Sequence, residues 1–540
     1  MRTCLDSRLL ACVSAALFMS ACSCSSPDWP THRYDRLRTA SQPNSSALSD
    51  GSKVGTLRVR WSWRPSLAGD QDLGPRGYGF SASPIVENGR VYAAHLNGHL
   101  YSVDTAGTFL WKYPAAGAPP LISTSACNPS SPGIASSPTM ATVKIRWFWF
   151  LTRSVRVVLF GAPDPASDGG DGRVWAVNAA TGALVWRSPV LASRGNNEQI
   201  GYDSPVVAGQ RVYVGISNHC DSPIIAGKVY ALDLPTGQLS VGFTPFVASA
   251  IRGGGLWSSP ATTPDGDVIV TTGNGCTPLD GGCSTEPSPN HALSMIRLDG
   301  ASGAMIWKFQ PVPWSLDGDP DWAAIPTIHR ASCGVQAVAP MKDGYTHALN
   351  LGPTSPSGSP GALGLSLRRW TFPTAVIPFT GGSHGDIRYT RGAAVWRDAV
   401  FAVTGGKDVT ANVTAGYNRL YALNACASDQ ERVRWWLQFS GWGYPLMGSP
   451  SVTRGIVYIG TAADTLYAVA DPDVYPSTGS QCEYPGVPAP MCATNGFRLT
   501  PIPAVLARVP LSGSIRTTPA LARGRVYVTT DAGLLYALSP

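Results

Sequence analysis

Ser83-Pro84-Ile85-Val86, then Gly89-Arg90-Val91-Tyr92, then Gly98-His99-Leu100-Tyr101-Ser102-Val103-Asp104 and finally Trp111 form one unit of a pattern that fills most of this chain. A small residue and a proline open the unit. A glycine turn separates two runs rich in apolar and aromatic residues, and a tryptophan closes it. Apolar spacing at period two marks strands, and glycine supplies tight turns between them. Both alternating sets are apolar here, so each sheet is expected to be covered on both faces.

The unit recurs down the chain. Ser137-Pro138 leads to Gly172-Arg173-Val174-Trp175-Ala176-Val177-Asn178 and Trp186, and Ser204-Pro205 to Gly227-Lys228-Val229-Tyr230-Ala231-Leu232-Asp233. Ser259-Pro260 leads to Leu298-Asp299 and Trp307, and Pro326-Thr327 to Ala348-Leu349-Asn350 and Trp370. A sixth copy keeps Leu420-Tyr421-Ala422-Leu423-Asn424 and Trp435, while Ser449-Pro450 and Thr518-Pro519 open the last two. The period is roughly 55 to 70 residues, long for a propeller blade and explained by inserted loops. Each closing tryptophan is expected to lie over the glycine and alanine of the adjacent unit, a burial of roughly 2–3 kcal/mol. The eighth copy ends at Leu535-Tyr536-Ala537-Leu538 with no tryptophan strand, and Leu57-Arg58-Val59-Arg60-Trp61-Ser62-Trp63 supplies the missing piece. The fold predicted is all-β: an eight-bladed β-propeller of four-stranded antiparallel blades, closed by this N-terminal strand, which removes exposed sheet edges.

The first residues carry an address. Arg2 and Arg8 precede an apolar run from Leu9 to Met19, and Ser20-Ala21-Cys22 follows. A basic start, a short apolar core and small residues before a break describe a secretory signal. Met19-Ser20-Ala21-Cys22 resembles a bacterial lipobox, which implies acylation of Cys22 and an exported lipoprotein held at a membrane by lipid; ordinary cleavage without lipid is the alternative. Three regions follow: a signal peptide over 1–21, a lipid-anchored tether over 22–56 and the propeller over 57–540. Eight cysteines lie in the body, and an even set in an exported chain reads as disulfides. Cys276 with Cys283 and Cys482 with Cys492 are the two pairs expected, each closing a local loop.

With 44% hydrophobic and 14% charged residues, the composition is that of an ordinary folded protein. The net charge of +7 is spread thinly. Its densest cluster is Lys144, Arg146, Arg153 and Arg156, interleaved with Trp147, Phe148, Trp149 and Phe150. Basic and aromatic residues together also suit single-stranded nucleic acid, but one stretch within a strand-like segment reads as an odd strand, and no nucleic-acid partner is expected. Residues 140–161 depart from the repeat without an evident cause.

The repeats, Trp29-Pro30-Thr31 and the strand from Leu57 to Trp63 together resemble PQQ-type propellers, the superfamily of quinoprotein alcohol dehydrogenases and of the lipoprotein of the outer-membrane barrel-assembly machine. The resemblance covers residues 29–540. It implies that Trp257, in Gly255-Leu256-Trp257-Ser258-Ser259-Pro260, forms the floor under a PQQ ring. It implies Asn274, in Thr272-Gly273-Asn274-Gly275, as a calcium ligand and Lys342 as a contact to the quinone. Calcium takes hard oxygen donors, and a flat aromatic surface suits a flat quinone. Other family positions are not matched. The glutamate ligand falls on Ser222 with Asp221 beside it, and the arginine on Ala226. Aligned through Pro326-Thr327, the catalytic aspartate slot falls on Leu316, which leaves Asp317 and Asp319 as shifted candidates, with Asp321 nearby. Each position also has a plain reading: Trp257 as packing, Asn274 and Lys342 as turn residues, the aspartates as a solvated loop. No cofactor is therefore assigned outright, although PQQ and calcium fit the resemblance. The leading expectation is a scaffold that binds a protein or small ligand on its loop-rich face. The alternative is a PQQ- and calcium-dependent dehydrogenase acting on an alcohol-type substrate.

Overall fold

Each copy of the pattern becomes one blade. The structure, a computed structural model, describes residues 27–73, 79–124, 130, 132–148, 151–167, 169–200, 203–218, 221–277, 282–314, 320–351, 365–374, 392–408, 413–439 and 448–540. Eight four-stranded antiparallel sheets follow one another around a ring. In blade 1, Ile85–Glu87 turns directly into Arg90–Ala94, followed by Leu100–Asp104 and Phe109–Tyr113. The innermost strands of successive blades touch, and Ile85–Glu87 meets Ala520–Ala522 to complete the circle. Blade 8 takes its fourth strand from the N-terminal side, with Trp61 opposite Ala537 and Ser62 opposite Tyr536. The expected closure is therefore present. Among the described residues no helix is long and apolar enough to cross a membrane.

Two features of the repeat lock one blade to the next. Trp61, Trp111 and Trp186 each reach the following blade, where their indole N–H donates to the carbonyls of Thr105 (3.0 Å), Ala179 (3.3 Å) and Leu234 (3.1 Å). Beneath them lie Gly107, Gly182 and Gly237, all at positive φ. A Cβ at any of the three would fall under 3.0 Å from the ring, so the glycine in the turn before each blade's last strand is the seat of the neighbouring tryptophan. Around the axis the small-Pro dipeptides do similar work. The backbone N–H of Thr518, Ser83, Ser137 and Ser204 donates to the hydroxyl of Ser83, Ser137, Ser204 and Ser259 respectively, each at 2.9 Å.

Residues 27–56, which the sequence reading places in the tether, are packed into the propeller. The segment from Pro27 to Gln42 circles the inner strands and meets every blade, blade 3 through a side chain. Trp29 exchanges two hydrogen bonds with Val86, both 2.8 Å, and the carbonyls of Pro30, Arg36, Leu37, Thr39 and Ala40 accept from Met140, Thr262, Ile328, Val395 and Val452. The Gln42 amide reaches Leu521 of blade 8 (3.1 Å). Blade 3 is held by Arg38, whose guanidinium donates to the carbonyls of Ser204 (2.9 Å), Pro205 (3.2 Å), Pro260 (2.9 Å) and His32 (2.8 Å). Arg33 and Arg38 are both fully buried. Burial lowers their pKa values to about 9 and about 10, because the charged form has lost its water.

Both expected disulfides form, Cys276–Cys283 and Cys482–Cys492. A third, Cys333–Cys426, joins blade 5 to blade 6. Cys22, Cys127 and Cys220 lie outside the described residues. The irregular segment is a long hairpin, Thr139–Phe148 with Leu151–Asp164, that carries the first two strands of blade 2 well past the point where blade 1 turns.

Candidate functional site

In an antiparallel blade, the end of the second strand and the approach to the first lie on the same face of the ring. Trp257 and Asp321 sit in such approaches, before Ala261–Thr262 and Thr327–Ala331. Asp221, Asn274 and Lys342 follow the second strands of blades 3, 4 and 5. Topology thus delivers all five to one face, from three consecutive blades.

Two groupings result. Asp321, fully buried, accepts from the Trp257 indole N–H at 2.8 Å and pairs with the Lys342 ammonium at 2.6 Å. The same ammonium stands 4.7 Å from the centroid of the Trp257 ring. Such a buried pair carries charge-assisted hydrogen bonds, stronger than neutral ones. The Lys342 backbone N–H also donates to the Asp321 carbonyl (3.1 Å). The turn that presents Lys342 is fixed by Asp343, whose carboxylate accepts from Tyr345 N–H and meets His347 Nε2, both at 2.9 Å. Gly344 completes the turn at φ +98°, a conformation that favours glycine.

Asn274 and Asp221 form the second grouping, joined by a 3.1 Å bond from the amide to the carboxylate. Gly255 and Gly273 link the two. Their backbones hydrogen-bond at 2.8 Å, and a Cβ on Gly273 would stand 2.8 Å from the Gly255 carbonyl and 3.4 Å from Trp257. The wall between Trp257 and Asp221 is therefore bare backbone. The Cys276–Cys283 bridge pins the chain just past Asn274.

Trp257, Asn274, Lys342 and Asp221, all named from the sequence, are thus brought together. Asp317 and Asp319 lie outside the described residues, as does Leu316. The carboxylate that meets Lys342 is Asp321, five residues nearer the Pro326-Thr327 strand than the slot read from the sequence. The signal available was its adjacency to Trp322, which is fully buried and anchors this approach. Ser222 is exposed and Asp221 half-buried, so Asp221 is the carboxylate turned to the site. Among the described residues no cluster of three or more histidine, cysteine, aspartate or glutamate side chains has metal-binding geometry. A cavity of about 680 Å³ is lined by His347, Arg368, Trp370 and Thr374 of blade 5 and by Asp343, the residue that fixes the Lys342 turn.

Comparison with known proteins agrees with this architecture. The model of the family described as outer membrane protein assembly factor BamB matches residues 56–288. The quinohemoprotein alcohol dehydrogenase ADHIIG from Pseudomonas putida HK5 superposes with a TM-score of 0.64 at 14% identity, over 95% of this chain and 80% of that one. A europium-containing methanol dehydrogenase gives 0.64 at 13% identity, over 96% of this chain and 99% of that one. No curated protein matches in sequence. At such identities the likeness establishes the fold.

Proposed function

We propose that this chain, a β-propeller of the PQQ-repeat type, is an exported quinoprotein-type dehydrogenase that oxidises an alcohol-type substrate on the face bearing Trp257. The observation that carries the reading is Asp321, held between the Trp257 indole and the Lys342 ammonium. In this reading Asp321 would serve as the base that the sequence alone left open.

The residues present fit the cofactor. Trp257 offers a half-buried aromatic face, Lys342 a cation beside it, and the Gly255–Gly273 wall a surface free of side chains. Asp221 and Asn274 offer hard oxygens of the kind calcium takes, with the cofactor to complete the set. A bound quinone would supply the acceptor of two electrons. The chain's own part is to bind, orient and move a proton. Lys342 pairs with the Asp321 carboxylate, the indole N–H fixes its rotamer, and burial keeps bulk water away. An ionised, oriented carboxylate is what proton abstraction from a hydroxyl needs. No CxxCH motif is present in the sequence, so electrons would pass to a separate carrier.

One observation favours a second reading, the ligand- or protein-binding scaffold: Ser222 and Ala226 stand where the enzymes carry glutamate and arginine. Titration of the protein with PQQ and calcium, followed by tryptophan fluorescence, separates the two. The dehydrogenase reading expects saturable micromolar quenching that is lost in Trp257→Ala and Asn274→Ala. Absence of binding by a normally melting protein leaves the scaffold. The same proposal places a lipid on Cys22 and the protein at a membrane, facing the periplasm or the cell exterior. Labelled fatty acid should enter the wild-type chain and not Cys22→Ser.

A further inference from the structure

The hairpin of blade 2 has no part in the site. In blade 1 the first two strands turn at Glu87 and Arg90, whereas in blade 2 pairing continues from Thr142–Arg156 out to Phe148–Leu151. Six further residues at ~3.3 Å each carry the Phe148–Leu151 pair about 20 Å past the level of the blade 1 turn. The base is anchored: Val143 and Val155 are buried against blade 3, and Arg156 pairs with Glu87 of blade 1. Beyond the base, Lys144, Arg146, Thr152, Arg153 and Ser154 are exposed, with Leu151 46% exposed. Residues 140–163 hold four basic residues and no acidic one.

The face from which it rises is the one where the described chain begins. Asp28 pairs with Arg523 in the first turn of blade 8 and accepts from Asn88 in the first turn of blade 1. Arg156 meets Glu87 beside that same turn. Five residues from Cys22 to Pro27 span at most ~18 Å, which matches the reach of the hairpin. Trp257, Asn274 and Lys342 lie on the opposite face.

We propose that this hairpin is a membrane-surface arm: Lys144, Arg146 and Arg153 engage anionic phospholipid headgroups and Leu151 enters the interface, so that the ring stands with its Trp257 face turned away from the bilayer. The match of lengths rests on acylation at Cys22; the charge and projection of the hairpin do not. Juxtamembrane basic residues gain attraction from an anionic surface that decays within a Debye length.

The test uses the chain from residue 22 onward with Cys22→Ser, exported behind an ordinary secretory leader, so that no lipid is attached. Co-sedimentation is measured with phosphatidylglycerol-containing vesicles and with pure phosphatidylcholine vesicles. The arm predicts binding to the anionic vesicles only, weakened at least about tenfold in Lys144→Ser/Arg146→Ser/Arg153→Ser and abolished by high salt. Arg58→Ser/Arg368→Ser, exposed basic positions on outer strands, should bind as the parent does. Leu151→Ser alone, which leaves the charge intact, should weaken binding without changing its salt dependence. Equal binding by the triple variant with an unchanged melting temperature overturns the proposal. So does binding indifferent to headgroup charge, or no binding to either vesicle. Failure here leaves the acylation reading untouched, since fatty-acid labelling of the wild-type chain reads that separately.

Discussion

Arg38→Met removes the guanidinium that ties the N-terminal segment to blades 3 and 4 while keeping much of its apolar stem. Four carbonyls, those of His32, Ser204, Pro205 and Pro260, lose a charged donor in a fully buried setting. At ~1.5–2 kcal/mol for each, the gross loss is ~6–8 kcal/mol. Against this stands relief from burying a charge. The fall of the Arg38 pKa from 12.5 to about 10 puts that cost at ~3.5 kcal/mol, at ~1.4 kcal/mol per unit. The net destabilisation expected is therefore ~2.5–4.5 kcal/mol. Arg38→Lys, which keeps the charge but not the five-donor fork, should fall between the two. Urea unfolding followed by tryptophan fluorescence reads the shift in midpoint. A loss below ~1 kcal/mol for Arg38→Met, within the range of surface substitutions or not far above it, would refute the idea that the N-terminal segment clasps the ring.

Acid should weaken the fold through His95. Burial lowers its pKa from 6.5 to about 3, and its Nδ1 accepts from Asn97 N–H at 3.0 Å. The folded state holds the neutral ring, so this contribution is complete above the unfolded pKa and is lost as pH falls toward the folded value. The loss is about 2 kcal/mol by roughly pH 5. His95→Asn keeps an acceptor for Asn97 without the titration, and its stability relative to wild type should rise by that amount between neutral and acid pH; parallel pH profiles would contradict this. Removal of Cys333–Cys426 by double serine substitution opens a loop of sequence separation 93, against 7 for Cys276–Cys283. Chain entropy then predicts a loss of about 4–5 kcal/mol for the first and about half that for the second. A larger effect from the short loop, read by urea midpoint, would oppose the prediction.

The ring was legible because the repeat states its own contacts. Ser-Pro marks the axial hydrogen bonds, and the orphan strand ending at Trp63 marks the closure. Trp257, Asn274, Lys342 and Asp221 were legible only through the resemblance to quinoprotein propellers, which supplies a role for each. Asp321 was not, since the length of the approach before Thr327 is set by packing of Trp322 rather than by the repeat. The N-terminal clasp was also hidden. Residues 27–42 alternate too little to read as a strand, and they bond through backbone carbonyls that no side-chain pattern reveals. The blade 2 hairpin carried a basic, aromatic composition that contradicted a buried strand; its projection beyond the ring explains why charge is tolerated there.

The most direct test of the account is turnover by the PQQ- and calcium-loaded protein, measured as reduction of an artificial electron-acceptor dye in the presence of a primary alcohol. The account predicts that wild type reduces the dye. Asp321→Asn, which keeps the shape and an acceptor for the Trp257 indole, should bind the cofactor as well as wild type and turn over at least ~100-fold more slowly, in the range expected for losing a positioned general base. Turnover by Asp321→Asn at the wild-type rate, or cofactor binding by wild type with no turnover of any alcohol, would contradict it.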